Sequence, residues 1–350
     1  MKTRVLAGLL VALLLHACAS APPSPPSAAP PPPPAPSADE QFDALSARYL
    51  REFPEQAPVF ATALGDHRFD AHLDDVSTEA WQARVAFAEA YLAVLEGIDR
   101  AQLSRDRQVD ALLLRNDLEQ TRFFVRDLQE WQWNPLLYTR IAGDGLYSLL
   151  AREFAPAPQR LANLGKRLDE IPRFLAQVRE VLEPARVPQV HAETAVRQNQ
   201  GLTSMIDGEI ADAVARLPGA EQEPLRASMA RARSAIAQHQ IWLEKKLLPD
   251  AKGDFRIGAG LYDRKLAFAL NSPLSREEIR ARAESELAAT HRAMYALARE
   301  VLKGKRAAPR MPDEPSDTQR LRVIKTALEL AYADRPKRER VLDTARASLE

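Results

Sequence analysis

The sequence predicts an all-α protein, an array of long amphipathic helical hairpins. In one stretch, apolar residues recur at alternating spacings of three and four, the pattern of a helix that buries one stripe along its length. A second observation is the serine–glutamate pairing of helix-capping boxes at Ser37–Glu40 and Ser275–Glu278. Glycine is also scarce, with 13 residues in 350, and no strand pair or glycine-rich phosphate loop stands out. The residues of the apolar stripe are Leu161, Leu164, Leu168, Ile171, Leu175, Val178 and Leu182.

The composition limits the number of domains and the kinds of partner. A chain of 350 residues suffices for two modest domains or one large helical domain. Lys+Arg and Asp+Glu both number 48, so no global field attracts nucleic acid. We therefore expect no nucleic-acid partner.

Residues 1–17 have the organisation of an export signal. Lys2 and Arg4 form a basic start, and the apolar run 5–15 is too short to span a bilayer as a permanent helix. The segment is therefore predicted to be a signal peptide that is removed from the mature protein.

Cys18 follows this segment in a sequence that resembles the bacterial lipobox, which predicts its lipidation and a membrane anchor. It is the only cysteine, so an intrachain disulfide is impossible. The alternative is an ordinary secreted protein cleaved near Ala19 or Ala21. Ser20 follows Ala19, which is similar to the outer-membrane sorting pattern of Gram-negative bacteria. We expect a lipid-anchored protein of the Gram-negative cell envelope, at the outer membrane and facing the periplasm.

Residues 18–37 combine the lipidated cysteine with a proline-rich tether. Ten of the sixteen residues from Pro22 to Ser37 are proline, a composition that cannot build a core. At ~3.1 Å per residue, an extended polyproline spacer of this length reaches roughly 50 Å. It would hold the predicted helical domain, residues 38–350, away from the membrane.

The bounds of the first helices are predicted from the residues that cap or break them. Ser37 begins the first helix, and Pro54 is expected to end it. Ser77 caps a second helix that closes at Gly97. Ser104 begins a third, long helix with an apolar stripe at heptad spacing.

Residues 134–182 organise the rest of the chain. Pro135 is expected to stop the third helix, and residues 143–147 are expected to form a polar loop that leads into the long striped helix. Within that helix Pro172 removes one backbone donor. Because the apolar period continues to Leu182, we expect Pro172 to kink the helix rather than end it.

The remaining chain is predicted to form further helices, with one irregular or β-like stretch at residues 249–260. The final helix begins near Pro336 and is expected to run to Glu350 without a C-cap, which suggests a truncated chain. The preceding predicted helices lie at about 190–217, 225–243 and 261–270, after Ser275 as far as Gly304, and after Ser316.

Six potential metal ligands fall within ten positions, but their spacing argues against a metal site. The two histidines are five residues apart in a predicted loop, so they share no helical face. Carboxylates just before Ser77 also suit a helix N-terminus. We favour a hydrogen-bond network that orders this loop and predict no metal ligands in the chain. The six residues are Asp66, His67, Asp70, His72, Asp74 and Asp75.

No familiar catalytic motif accompanies this loop. The chain has no His-Glu-x-x-His pair and no Gly-x-Ser-x-Gly nucleophile elbow, and lipidation of Cys18 removes a thiol nucleophile. His239 lies on the apolar stripe of its helix, so we interpret it as a core histidine with one backbone partner.

Two glycine-containing stretches carry the best candidate site residues. Glycines at 143 and 145, and again at 258 and 260, would let the backbone approach a ligand closely. A tyrosine can stabilise an oxyanion, and an arginine can bind a carboxylate or carbonyl. The alternative is that the glycines only make turns and the aromatic rings pack. The candidate transition-state stabilisers are Tyr262 and Tyr147, and the candidate substrate-binding residues are Arg152, Lys265, Asp144 and His67.

Five segments, in this order, resemble the bacterial family called domain of unknown function 885. The resemblance covers roughly residues 40 to 350, and the ordered set is more specific than any one segment. The segments are Leu64-Gly-Asp-His-Arg-Phe-Asp70, Asn134-Pro-Leu-Leu-Tyr138, Arg152-Glu-Phe-Ala-Pro156 with Arg160-Leu161, Ile171-Pro-Arg-Phe-Leu175 and Ile257-Gly-Ala-Gly-Leu-Tyr-Asp263.

The resemblance implies a bilobed, mostly α-helical zinc peptidase of the gluzincin type, with zinc as the cofactor of a full-length member. Such proteins carry a His-Glu pair followed by Pro-Gly-His, and neither occurs before Glu350. No zinc ligand can therefore be assigned to a residue here.

The expected function is accordingly the N-terminal helical part of a membrane-anchored zinc-dependent peptidase or related hydrolase. Without the metal-binding half, the 350-residue chain is expected to be inactive by itself. Its expected partners are the membrane, through Cys18, and a peptide or small-molecule substrate. The alternative is a non-enzymatic helical binding or scaffold lipoprotein of the cell envelope.

Overall fold

The structure, a computed structural model, describes residues 35–349, and this part of the chain is all-α, as predicted. Cys18, the signal segment and most of the proline-rich tether lie outside the described residues. Among residues 35–349 the β-type pairing is limited to an isolated bridge between Pro188 and Gly253, and only Gly253 lies in the stretch expected to be irregular. None of the described helices is long and apolar enough to cross a membrane.

The helices follow one another with short connections. The first are α1 (Ala38–Gln56), α2 (Pro58–Leu64), α3 (Thr78–Glu96), α4 (Arg105–Arg122), α5 (Glu130–Trp133), α6 (Pro135–Ala151) and α7 (Ala157–Val181). They are followed by α8 (Gln189–Met205), α9 (Ala211–Ala215), α10 (Gly219–Trp242), α11 (Leu248–Asp250), α12 (Ala259–Leu270), α13 (Arg276–Leu302), α14 (Asp317–Ala333) and α15 (Val341–Ala347). Wider π-helical turns continue α4, α8 and α10 at Phe123–Leu128, Ile206–Ile210 and Leu243–Leu247. Short 3-10 turns lie at His67–Phe69, Arg100–Gln102, Pro184–Arg186 and Arg338–Arg340.

The predicted capping boxes are confirmed. The Ser37 hydroxyl accepts from the Glu40 amide at 3.3 Å, and the Glu40 carboxylate accepts from the Ser37 amide at 2.8 Å. Ser275 with Glu278 repeats this arrangement at the start of α13. These bonds satisfy amides that have no partner inside a helix, which is why the helices begin at these positions.

The prediction that Pro54 ends the first helix is wrong, because α1 continues to Gln56. Pro54 lies in the last turn, where its missing N–H costs a single helical hydrogen bond. The carbonyl of Leu50 that loses this donor accepts a long bond, 3.5 Å, from Arg68 Nη2. The helix ends at Gln56, since the next residue, Ala57, precedes Pro58 and is pushed out of the helical conformation.

The third helix is also divided differently from the prediction. It breaks at Gln129, whose φ of 50° is left-handed, six residues before Pro135. Pro135 does not stop this helix but begins α6 at its first position, where a missing N–H costs nothing. The Asn134 side chain caps the new helix by accepting from the Leu136 amide at 3.1 Å.

The predicted polar loop at residues 143–147 is wrong, because this stretch is part of α6. Gly145 serves close packing instead of a turn. A Cβ built on it would lie 2.7 Å from Leu73 Cδ2 and 3.2 Å from Val59 Cγ2. The glycine therefore lets α6 approach α2 and the following segment more closely than any other residue would allow.

The long striped helix is confirmed as α7, and its apolar stripe is buried. Pro172 lies inside it without ending it. The helix packs against α6 on one side and α10 on another. Its residues belong to the largest apolar core of the described chain, which α6, α8 and α10 complete.

Separate, smaller cores hold the two ends of the described chain. The first joins α1, α3 and α4 around Phe42, Tyr91 and Leu118. The second lies between α13 and α14, around Tyr295 and Val323. The last helix, α15, ends at Ala347, so its predicted continuation through Leu349 is wrong. Its final turn tightens there, with the Leu349 amide bonded to the Arg346 carbonyl at 3.0 Å.

Candidate functional site

A groove follows the solvent-facing side of α6, and we call it the α6 groove. It consists of a larger lobe of about 740 Å³ and a smaller lobe of about 550 Å³. The two lobes meet at Arg140, Asp144 and Tyr147, which line both. Volumes of this size are typical of ligand pockets in proteins.

The larger lobe lies between α6 and the end of α8. Its walls are mainly apolar, with neutral polar groups from Asn134, Thr139 and Gln198. The Thr139 hydroxyl lies 2.7 Å from Gln198 Oε1, which joins the two walls. The apolar and glycine wall residues are Leu136, Leu137, Gly143, Gly201, Leu202 and Met205.

The smaller lobe lies between α6 and α2. Its apolar wall comprises Val59, Phe60, Ala63, Ile141 and Ala151. The polar lining residues are Asp74, Arg140, Asp144, Tyr147, Ser148 and Arg152.

Asp74 is the buried carboxylate of the smaller lobe, with 7% of its surface exposed. One of its oxygens accepts from the Val59 amide at 3.1 Å, near the start of α2, and the other lies 3.7 Å from Arg84 Nη2. Burial raises the pKa of Asp74, and the nearby Arg84 guanidinium acts in the opposite direction. Asp74 therefore positions α2 from within the wall of the lobe.

Arg140 and Asp144 project from α6 without ion-pair or hydrogen-bond partners among residues 35–349. Arg152 donates from Nη1 to the Ala63 carbonyl at 2.8 Å and has no carboxylate partner in this part of the chain. The Ser148 hydroxyl is buried and unpartnered within the described residues. Arg140, Asp144 and the remaining donors of Arg152 are therefore free to meet a ligand in the groove, whereas the Ser148 hydroxyl is closed off from it.

A buried polar network fixes α6 against α7 and α2. Arg167 on α7, which is fully buried, donates from Nη1 to the Gly145 carbonyl at 2.6 Å and from Nε to the His72 carbonyl at 2.9 Å. Its Nη2 donates to the Thr62 hydroxyl at 2.7 Å, which in turn donates to Asp70 at 2.7 Å. Burial lowers the pKa of Arg167 to about 10, so it stays charged at neutral pH.

The structure brings together three of the predicted site residues, Asp144, Tyr147 and Arg152, on the groove side of α6. Tyr147 is half exposed, at the junction of the lobes. His67 lies elsewhere: its ring stacks on Phe154 with centroids 3.6 Å apart. His67 Nδ1 lies 3.1 Å from the Asp70 carboxylate, so this side chain belongs to the loop network.

Tyr262 and Lys265 lie on α12, away from the other predicted residues. Lys265 Nζ is 3.7 Å from a carboxylate oxygen of Glu130, and Glu130 lines the larger lobe. Lys265 therefore borders the groove through Glu130. Tyr262 is half exposed and does not line either lobe. The catalytic and binding roles of all six residues stay predictions.

Sequence reasoning missed Arg140, Ser148, Glu130 and the contribution of Asp74 to the groove. A signal for Arg140 was present, because Arg140, Asp144, Tyr147 and Ala151 follow helical spacings of four, three and four. Because a loop is predicted for this stretch, the prediction does not place these four residues on one face of a helix.

The acidic loop at residues 66–75 forms the hydrogen-bond network that we favoured. Asp66 caps the 3-10 turn through the Arg68 amide at 3.1 Å, and Asp75 accepts from the Ser77 amide at 2.9 Å. His72 Nδ1 lies 3.1 Å from Glu170 on α7. Among residues 35–349 no group of three or more histidine, cysteine, aspartate or glutamate side chains could hold a metal ion.

The core location predicted for His239 is confirmed, since only 3% of its surface is exposed. The expected backbone partner is not found: its Nδ1 is buried and unpartnered within the described part of the chain. The ring stacks on Trp242, with centroids 5.4 Å apart. Burial lowers the pKa of His239 to about 3, so the ring is neutral at pH 7.

A solved structure from Shewanella oneidensis, described as "a putative lipoprotein of unknown function", shares this fold with a TM-score of 0.71 and 24% sequence identity. The similarity covers 90% of this chain but 56% of that one, so this chain spans little more than half the length of that neighbour. No match was found among curated proteins.

The family model described as "Bacterial protein of unknown function (DUF885)" matches residues 58–350, which include every residue that lines the α6 groove. The match covers most of the chain and includes all five segments noted in the sequence. The chain therefore belongs to the DUF885 family of bacterial proteins of unknown function.

Proposed function

We propose that this protein binds a short extended peptide in the α6 groove, as the substrate-binding part of a lipid-anchored envelope hydrolase. The observation that carries the proposal is the continuity of the two lobes along one face of α6 through Arg140, Asp144 and Tyr147. A continuous groove suits a linear chain better than a compact metabolite.

The dimensions of the groove support a peptide. Its lining residues on α6 extend from Asn134 to Arg152, which at about 1.5 Å per residue gives roughly 27 Å along the helix axis. An extended chain rises about 3.3 Å per residue, so the groove has room for about eight residues.

The walls of the groove also suit peptide side chains. The larger lobe offers Leu136, Leu137, Leu202 and Met205, and methionine adapts its shape to different apolar partners. Tyr147 adds a half-exposed ring where the lobes meet, and a tyrosine combines a large contact area with a polar hydroxyl. We therefore place apolar side chains of the ligand in the larger lobe.

The zinc chemistry that the family resemblance implies does not fit the described residues. His67 with Asp70 and His72 with Glu170 are pairs, and a catalytic zinc site needs three protein ligands. We derive no catalytic step from these residues. Hydrolysis belongs to this proposal only for a longer protein in which ligands from outside residues 35–349 hold the zinc. The 350-residue chain alone is expected to bind a peptide and leave it intact.

Calorimetric titration of the full chain in detergent with the pentapeptide Ala-Leu-Ala-Leu-Ala tests the proposal. We expect binding with a Kd below about 1 mM, equivalent to about 4 kcal/mol. Tyr147→Ala should weaken it about tenfold, because this large ring is one of the three side chains that line both lobes. Tyr332→Ala, which removes an exposed ring on α14, should change it less than twofold.

Absence of binding, or equal affinity in the Tyr147→Ala protein, would overturn the proposal. Liquid chromatography of the same mixtures, with zinc added, checks whether the peptide stays intact. Cleavage by the wild-type chain would show that this chain supplies catalytic groups that we have not assigned.

A further inference from the structure

We infer that the smaller lobe of the α6 groove recognises the free C-terminal carboxylate of the peptide, with Arg140 as the principal contact and Arg152 as the second. This inference rests on the proposed function and sets the direction of the bound chain. The C-terminus lies in the smaller lobe, and preceding apolar residues lie in the larger lobe.

The distribution of charge along the groove supports this direction. Arg140 and Arg152 both line the smaller lobe, and neither has a carboxylate within ion-pair distance in the described chain. Asp74, the buried carboxylate of this lobe, has its own counter-charge in Arg84 at 3.7 Å. Asp144 is the remaining acid, so the charges free to act on a ligand sum to one positive charge.

The larger lobe offers no comparable cation of its own. Its charged lining residues are Glu130, Arg140 and Asp144, and the latter two are shared with the smaller lobe. Glu130 lies 3.7 Å from Lys265 and accepts from Asn134 Nδ2 at 2.8 Å. The other ten lining residues are uncharged, and four of them are leucine or methionine. A carboxylate would therefore be drawn toward the smaller lobe.

The two arginines differ in how many donors they have available. Arg152 already directs Nη1 to the Ala63 carbonyl, whereas no donor of Arg140 is engaged among residues 35–349. A guanidinium presents five N–H donors in a planar fork that matches a carboxylate with two parallel bonds. Arg140 can offer that paired contact without breaking an existing hydrogen bond, which is why we rank it first.

The experiment compares three forms of the pentapeptide Ala-Leu-Ala-Leu-Ala by calorimetry with the full chain: free, C-terminally amidated and N-acetylated. We expect amidation to weaken binding about tenfold or more, the effect of losing a charge-assisted pair of bonds, and N-acetylation to change it less than twofold. In Arg140→Gln the free and amidated peptides should bind within about twofold of each other. Arg140→Lys keeps the charge and should retain part of the preference, whereas Arg152→Gln should reduce it less than Arg140→Gln does.

Arg280→Gln on α13, whose side chain is 81% exposed, is the matched control and should keep the wild-type preference. Equal binding of free and amidated peptides to the wild-type chain would overturn this inference and leave the proposed peptide site standing. If N-acetylation weakened binding and amidation did not, the N-terminus would be the recognised end. The peptide would then lie in the opposite direction, and this inference would be overturned. No binding of any form would overturn both the inference and the proposed function.

Discussion

Arg167 on α7 donates a hydrogen bond from Nη1 to the main-chain oxygen of Gly145 on α6, at 2.6 Å. The bond joins the helix with the long buried stripe to the helix that carries the groove, one residue after Asp144. The same guanidinium holds the Thr62 hydroxyl of α2 and the His72 carbonyl. One buried cation thus positions α6 against α2, the two helices that enclose the smaller lobe.

Arg167→Met should therefore destabilise the protein strongly. The substitution leaves the Gly145 and His72 carbonyls and the Thr62 hydroxyl without their donor in the core, and it removes a positive charge near the buried Asp70. We expect a loss of about 3–5 kcal/mol in the free energy of unfolding, measured by urea denaturation. Lys166→Met replaces the exposed neighbouring residue and should stay within about 0.5 kcal/mol of wild type. Similar values for the two variants would show that the network does not stabilise the fold.

The two glycines of α6 should respond to alanine with opposite signs. At Gly143 the nearest atom to an added Cβ is Leu202 Cδ2 at 3.9 Å, so Gly143→Ala should stabilise the helix by about 0.5–1 kcal/mol. At Gly145 the added methyl would lie 2.7 Å from Leu73 Cδ2, and Gly145→Ala should cost about 1 kcal/mol or more. Thermal unfolding of the two variants measures the difference. Destabilisation by both would contradict a helix through this stretch.

Stability should fall below neutral pH because of His239. Burial depresses its folded pKa to about 3, below its ordinary value of 6.5, so the unfolded chain takes up a proton that the folded chain does not. The contribution of the neutral ring to the free energy of unfolding is complete above pH 6.5. It is lost progressively as the pH falls from 6.5 toward 3. When the pH is lowered from 7 to 5, the free energy of unfolding should fall in both proteins. The fall should be about 1–2 kcal/mol smaller in His239→Gln than in the wild type. Parallel losses in urea titrations at the two pH values would show that this histidine is not the group responsible.

Cys18→Ser should release the protein from the membrane fraction, because the predicted acyl chains provide its anchor. Radiolabelled palmitate should enter the wild-type chain and not the variant. Since Cys18 lies outside the described residues, this test addresses the sequence prediction alone. Unchanged sedimentation of the variant would contradict lipidation at this position.

The buried faces of the helices could be predicted from the sequence wherever the spacing of apolar residues matches the face that packs in the core. The stripe of α7 is a strong example, since every residue from Leu161 to Val178 in it is buried. The caps at Ser37 and Ser275 also act through local hydrogen bonds, so their signal is contained in four residues. These features need no knowledge of the rest of the chain.

The groove could not be predicted in the same way, because it depends on contacts distant in sequence. The sequence predicts a polar loop around Gly143 and Gly145, whereas the space around Gly145 is set by Leu73 and Val59. The sequence likewise predicts that Pro135 breaks a helix, whereas in the structure the Asn134 side chain caps a helix that begins at Pro135. The burial of Arg167 could not be predicted from the sequence. A charged residue is rarely buried unless it has hydrogen-bonding partners, and the partners of Arg167 are brought to it only by the fold.

Photo-crosslinking tests the central claim most directly, because it reports where a peptide binds. The probe is the pentapeptide with its central alanine replaced by p-benzoyl-phenylalanine, irradiated with the full chain and mapped by mass spectrometry. We predict adducts on the walls of the larger lobe, at Leu136, Leu137, Leu202 or Met205, and their loss when excess unlabelled peptide competes. Competable adducts confined to the exposed leucines of α13 and α14, such as Leu297 and Leu321, would contradict the assignment of the peptide site to the α6 groove.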